Sequence, residues 1–318
     1  GAKQQIFSLE DSPAAQRTFV KAIFSLLHDP PNDEEGVQHL FEIDGDDLLN
    51  QLSQPLPAAA VVSDPDEGGG AGISLDDETT ESEGGAQSLS SILSGIKGGA
   101  LRYLNYTTYY LMKDRAGIVG RTGVAQALTQ IQTNFPDLRI RPIGHSFGAR
   151  VVTSATASLA RPVASLTLLQ AAFSHNSFSP DFDNSHKPGA FRSVVENGKI
   201  AGPMLITHSV KDVDVGVAYA IASRLALQNA SAIGDENDPY GGLGRNGARH
   251  TPEATDDDLQ PVNTVYSFQP GKIFNLKGDS IIMGHSDIVK PEIAYAFITS
   301  LAVELPKAAA ATDKPSTT

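Results

Sequence analysis

Leu138-Arg139-Ile140-Arg141-Pro142-Ile143-Gly144-His145-Ser146-Phe147-Gly148-Ala149-Arg150-Val151-Val152 reads as a short strand, a sharp turn and the start of a helix. Its centre, Gly144-His145-Ser146-Phe147-Gly148, has the spacing of a nucleophile elbow. In such an elbow a serine sits on a strained turn, so that its hydroxyl projects above the edge of a sheet. The two glycines are expected there because side chains would collide with the neighbouring strand and helix. The flanks suit the motif. Leu138, Ile140 and Pro142-Ile143 lead in, and the Ala- and Val-rich run from Ala149 to Ala160 leads out as a helix.

The later chain repeats the strand-helix alternation. Val163 to Leu169 is a continuous apolar run of the kind buried on both faces of a sheet. Pro203 to His208 is a second strand, with a helix from Val215 to Gln228 behind it. Lys272 to Leu276 is the last strand and Pro291 to Val303 the last helix. This order predicts an α/β fold with a mostly parallel sheet and covering helices. Gln170 to Phe182 and the Gly-rich Ile233 to Thr264 read as loops, and a lid is expected within 170–202 or 233–264.

The N-terminal part differs in character. Between Ala22 and Ile96 there are 16 Asp and Glu and no Lys or Arg, so this region carries the net charge of −13. Pro13 to His28 and Glu34 to Gln51 read as helices, the first capped by Ser12. Asp44 to Asn50 is oxygen-rich but lacks the spaced ligands and closing Glu of a calcium loop, so a solvated helix start fits it better. Pro55 to Gly85 is acidic, rich in Gly and Pro, and cannot build a core. The Tyr-rich run from Leu89 to Leu111 follows; its tyrosines are expected at a core edge. A helix from Lys113 to Asn134 then presents Ile118, Val119, Val124, Leu128 and Ile131 as its apolar stripe. The predicted organisation is a helical region at 1–54, an acidic linker or insertion at 55–88, an α/β domain at 89–306 and a flexible tail at 307–318.

Composition excludes several classes. The chain has no Cys, so disulfides and thiolate metal sites are impossible. A cytoplasmic location is expected. No run of 18 apolar residues predicts a membrane span, and the acidic balance argues against a nucleic-acid partner. No two His have helical zinc spacing, and neither a metal nor a cofactor is expected. Gly242-Leu243-Gly244-Arg245-Asn246-Gly247 matches a dinucleotide fingerprint but lacks the preceding strand and following apolar helix that such a site needs.

A serine hydroxyl needs a base, and the base needs an orienting acid. Behind an elbow of this kind the chain order is serine, acid, histidine. Asp212 follows the strand that ends at His208, with Asp214 two residues on as the alternative. His285 lies between the last strand and the last helix. The expected roles are Ser146 as nucleophile, His285 as general base and acid, Asp212 as orienter, and the Phe147 N–H as an oxyanion donor. His145 reads as structural, His208 as a strand-end residue, His175 as a residue near the pocket, and His28, His39 and His186 as surface residues.

With these residues the chain resembles the α/β-hydrolase superfamily over about Ala116 to Val303. The runs Leu168 to Asn176 and Asp238 to Gly247 are similar to a group of bacterial serine-hydrolase-like proteins. The resemblance implies a cofactor-free serine esterase acting on a small-molecule ester, or a catalytically silent hydrolase-fold binding protein. Members of the superfamily carry several strands before the elbow and a loop, often with His-Gly, that supplies a second oxyanion donor. No His-Gly and no clear apolar strand precede Leu138; Gln4 to Leu9 is the only weak strand candidate. The chain is therefore expected to be the later part of a longer protein, with half the oxyanion hole missing and an exposed sheet edge open to self-association.

Overall fold

The computed structural model describes residues 6–27, 43–54, 95–184, 186–225 and 240–305. The acidic insertion, the tail, His28 and His39 lie outside the described residues.

Helix α1 spans Pro13–Phe24. Ser12 caps it by accepting the Ala15 N–H at 3.2 Å, and Pro13 opens it where no amide partner is lost. Helix α2, Gly45–Ser53, begins within the oxygen-rich run, whose Asp46 pairs with Arg17 at 2.7 Å. It buries Leu48, Leu49 and Leu52. The part of the expected helix before residue 43 lies outside the described residues.

Helix α3 (Gly95–Val119), a π-helical turn (Gly120–Val124) and α4 (Ala125–Asn134) form one continuous helical run. The Tyr-rich stretch and the following helix, read separately in the sequence, are thus joined. The tyrosines sit deeper than expected: Tyr103 and Tyr106 are fully buried among Phe19, Leu48 and Leu49. The expected apolar stripe is also displaced. Ile118 and Val119 are 38% and 52% exposed, while Ala116, Gly117, Gly120, Ala125 and Gln132 are buried. The reason is a close helix crossing. Gly120 lies against the helix after the elbow, where a Cβ would collide with the Val151 carbonyl and approach Ser154 Cβ to 2.8 Å. Arg161 closes α4 by donating to the Gln132 and Pro136 carbonyls at 2.7 and 2.8 Å.

Strand β1 is Ile143–His145 and helix α5 Phe147–Ser158. Then come β2 (Leu166–Leu169), the short α6 (Arg192–Glu196), β3 (Met204–His208), α7 (Val213–Leu225), the short α8 (Leu243–Asn246), β4 (Ala254–Asp258), β5 (Ile273–Lys277) and α9 (Pro291–Leu301). The five strands form one sheet in the order β1-β2-β3-β5-β4, and every neighbouring pair is parallel. The fold is α/β.

Alternation along the central strands separates the core into two faces. Leu166, Leu168, Met204, Ile206 and Ile273 pack with Ala149, Phe173 and Leu243 on one side. Leu169, Leu205, Phe274 and Leu276 pack with Ile282, Ile293 and Ala296 on the other. A further cluster joins α1, α2 and α3 to Val215, Ala218 and Tyr219 of α7.

The sequence reading missed β4, whose residues are Ala254-Thr255-Asp256-Asp257-Asp258. β4 is exposed along nearly its whole length, so it shows no apolar run, and its acidic residues discourage pairing with a further strand. At the opposite edge β1 is shorter than expected. Leu138 is 57% and Ile143 44% exposed. Backbone bonds from Ala164 N to Ile140 O (2.7 Å) and Thr167 N to Pro142 O (3.0 Å) still hold the lead-in beside β2. No strand precedes Ile143 among the described residues. Within the fingerprint-like Gly242 to Gly247, Leu243–Asn246 forms α8, and among the described residues no strand leads directly into it; a Cβ on Gly242 or Gly244 would collide with Val215 or the Gln170 backbone.

The helix crossing yields a paired expectation. Gly120→Ala should lower unfolding stability by about 1–3 kcal/mol, because a methyl group forces two backbones apart. Gly123→Ala, where a Cβ meets nothing within 4 Å, should be neutral or stabilising by up to about 1 kcal/mol. Urea denaturation of both variants checks the contrast.

Candidate active site

The residues after β1, β3 and β5 emerge at the same edge, because the strands are parallel and side by side. That edge, at the strands' carboxyl ends, is where ligands bind in open α/β sheets. Ser146 stands between β1 and α5, Asp212 just before α7, and His285 between β5 and α9.

Ser146 adopts φ 56° and ψ −127°, a conformation that costs a non-glycine residue about 1–3 kcal/mol. Its surroundings impose it. The Ser146 N–H donates to Leu169 O at 3.1 Å, and its carbonyl accepts from Ala149 N and Ala172 N at 3.1 and 3.3 Å. Gly144 is required by space, since a Cβ would lie 2.5 Å from Ala149 Cα. Gly148 is not: a Cβ there meets nothing within 4 Å, contrary to the expectation that both glycines avoid collisions. Phe147 opens α5, so its N–H has no partner within the helix. The Phe147 ring packs 5.1 Å from that of Tyr109, which ties the elbow to α3.

Ser146, His285 and Asp212 form one hydrogen-bonded chain. The Ser146 hydroxyl lies 2.8 Å from His285 Nε2. His285 Nδ1 lies 3.1 Å from both oxygens of Asp212. Nδ1–H donating to the carboxylate leaves Nε2 as the acceptor of the serine proton. Asp212 is fully buried and His285 is 6% exposed. Asp212 is fixed from the other side by the Val215 N–H, which donates to its Oδ1 at 3.1 Å in the manner of a helix cap. Asp214 stands in the first turn of α7, half-buried. The loop carrying His285 is anchored where Ser209 Oγ donates to Ile282 O at 2.9 Å.

His145 has a contact that sequence reasoning did not foresee. Its Nε2 lies 2.9 Å from the His285 carbonyl, and the two rings are 4.9 Å apart. Burial pushes the His145 imidazole below its ordinary value, although the bond to that carbonyl acts the other way. A neutral ring with Nε2–H therefore donates to the backbone of His285. Only the position of His145 beside Ser146 could have hinted at this, because the contact spans 140 residues.

The other histidines are placed elsewhere. His175 is fully buried, bonded through its N–H to Gly241 O at 2.8 Å and through Nδ1 to Asn246 at 3.3 Å. His250 reaches Asn176 Oδ1 at 2.8 Å. His208 lies at the end of β3, where burial pushes its imidazole down to about 4 and keeps it neutral near pH 7. His186 is at the surface beside Asp181. The first part of the 170–202 segment is no lid: residues 170–179 are buried. Among the described residues no cluster of His, Asp and Glu is arranged to hold a metal ion, and no helix is long and apolar enough to cross a membrane. No protein-family model, curated protein or solved structure matches this chain.

The His145 bond can be tested through Ser146 reactivity. His145→Ala should slow phosphonylation of Ser146 by a small fluorophosphonate about 10- to 100-fold, the range a slight misplacement of a reacting group produces. His145→Gln, which retains an N–H donor, should recover much of the rate. Equal rates in wild type and both variants would show that the contact does not position His285.

Proposed function

We propose that this protein is a serine hydrolase of the α/β-hydrolase type that cleaves small carboxylic esters through an acyl-enzyme. The observation that carries this reading is the Ser146 Oγ to His285 Nε2 separation of 2.8 Å, with His285 held by Asp212 on its other nitrogen. The strained backbone of Ser146 supports it.

In the proposed reaction His285 Nε2 takes the Ser146 proton as Oγ bonds to the ester carbonyl carbon. The carbonyl oxygen becomes an oxyanion, and the Phe147 N–H donates to it. Collapse breaks the bond to the alcohol oxygen, which leaves with the proton from His285 Nε2. Water then attacks the acyl-enzyme while His285 takes its proton. The acid departs and the proton returns to Ser146 Oγ. Asp212 keeps its negative charge throughout and stabilises the transient imidazolium. No cofactor enters these steps. No second oxyanion donor is readable in the sequence before Leu138. A reaction with one donor in place of two loses on the order of 3 kcal/mol of transition-state stabilisation, so a slow rather than absent reaction is the expectation tied to that reading. The open β1 edge supports self-association as an accompanying proposal.

The test is labelling with a fluorophosphonate probe, followed by mapping of the modified peptide. Wild type should label on Ser146, and Ser146→Ala, His285→Ala and Asp212→Asn should lose most of the signal. A folded wild-type protein that does not label would overturn this reading and favour a silent binding module on the same fold.

A further inference from the structure

The Gly-rich run from Gly242 to Gly247 is bonded to the segments that leave β2 and β3. The Leu243 N–H donates to Phe173 O at 2.8 Å and the Gly244 N–H to Ala171 O at 2.9 Å. Gly244 O accepts from the Ser209 N–H at 3.0 Å and from Gln170 Nε2 at 2.9 Å. Glycine permits this approach, since a Cβ on Gly244 would lie 2.7 Å from Ala171 N. Arg245 therefore starts from a backbone fixed beside both the elbow and the turn that carries Asp212.

Its half-buried side chain crosses that turn. Nη1 donates to the Val210 carbonyl, before Asp212 in the chain. The stem lies against Gly216, after Asp212, so closely that a Cβ there would be 3.0 Å from Arg245 Cδ and 3.2 Å from Nη1. The Gly216 N–H itself donates to Asp212 O at 3.1 Å. One side chain thus touches both ends of the turn.

The charges give this contact a second role. The Asp212 carboxylate is bonded to the His285 imidazole and the Val215 amide. With His285 acting as a base, neither partner carries a full positive charge. Among the described residues no Lys or Arg stands within 4 Å of this carboxylate. A buried carboxylate without a compensating charge is costly. Burial pushes the Arg245 guanidinium below its ordinary value, while Asp212 and then Asp279 act the other way. Asp279 has a cation of its own in Lys277, at 3.3 Å. His208, 3.3 Å from the Arg245 carbonyl, is kept neutral by burial, as is His145 beside His285. Asp212 is the charge left for Arg245 to balance.

We propose that Arg245 is a positioning residue for the serine hydrolase reaction: it clamps the turn at residues 210–216 and offsets the charge of the buried Asp212. The inference rests on the reading of Ser146, His285 and Asp212 as a catalytic unit. Without the guanidinium, the field of Asp212 on His285 is less opposed, so the imidazolium is favoured and its titration midpoint rises. A base that must be neutral then works only at higher pH.

The experiment is an NMR titration of the His285 imidazole in the full chain, assigned by its loss in His285→Gln. The pH profile of Ser146 phosphonylation by a fluorophosphonate is measured beside it. Arg245→Gln keeps an N–H donor for Val210 and loses the charge; Arg245→Met is a second neutral variant should the first not fold. Either should raise the His285 midpoint by about one pH unit, and below both midpoints phosphonylation should fall about tenfold. Arg245→Lys retains the charge and should leave the midpoint near that of wild type. A midpoint unmoved in the neutral variants, or raised equally in Arg245→Lys, would overturn the role of Arg245 alone. Wild type that fails to label overturns the hydrolase reading itself, whatever the titrations show.

Discussion

Both backbone polar groups of Ser146 are held from outside its own turn: its N–H by Leu169 at the end of β2, its carbonyl by Ala172 three residues later. These bonds maintain a φ of 56° that a serine does not adopt freely. The side chain therefore projects beyond the strand ends. Much of the surrounding fold serves this placement. Gly144 lets α5 start directly against β1, and the π-helical turn after α3 meets α5 through Gly120 with no intervening side chain. The ring of Phe147 rests on Tyr109, so the packing of the tyrosine helix reaches the elbow directly.

The second constraint is electrostatic. Asp212 is fully buried, and its charge is compensated by the imidazole of His285 and the Val215 amide. A buried carboxylate without such partners is strongly unfavourable. The same bonds that make burial tolerable fix the His285 tautomer, and with it the direction in which the Ser146 proton can move. His145 extends this order to the backbone of His285.

The sheet and the three residues of the hydrogen-bonded chain were legible in the sequence because each depends on local signals. A doubly buried strand is apolar throughout, a residue at a strand end follows its strand by a few positions, and the elbow needs glycine before the serine. The unread features depend on partners distant in the chain. The stripe Ile118, Val119, Val124, Leu128 and Ile131 has helical period, but backbone contact at Gly120 rotates the small residues inward instead. β4 is acidic because it borders solvent, and nothing in Ala254 to Asp258 marks it as a strand until β5 lies beside it. Residues 170–179 look like a polar surface loop, yet Ser174, His175, Asn176 and Ser177 are buried because the 240–250 segment covers them and supplies bonds such as Gly241 O to His175 N. Composition alone cannot distinguish such a loop from a solvated one.

The central claim is that Ser146, His285 and Asp212 work as one nucleophilic unit. Its most direct measurement is rapid mixing with p-nitrophenyl acetate, quenching in acid and intact-mass analysis. The account predicts a burst of about one equivalent of p-nitrophenol per chain and an acetyl group on Ser146 that accumulates before turnover. Turnover without an acyl adduct, or an adduct mapped to another residue, would contradict it.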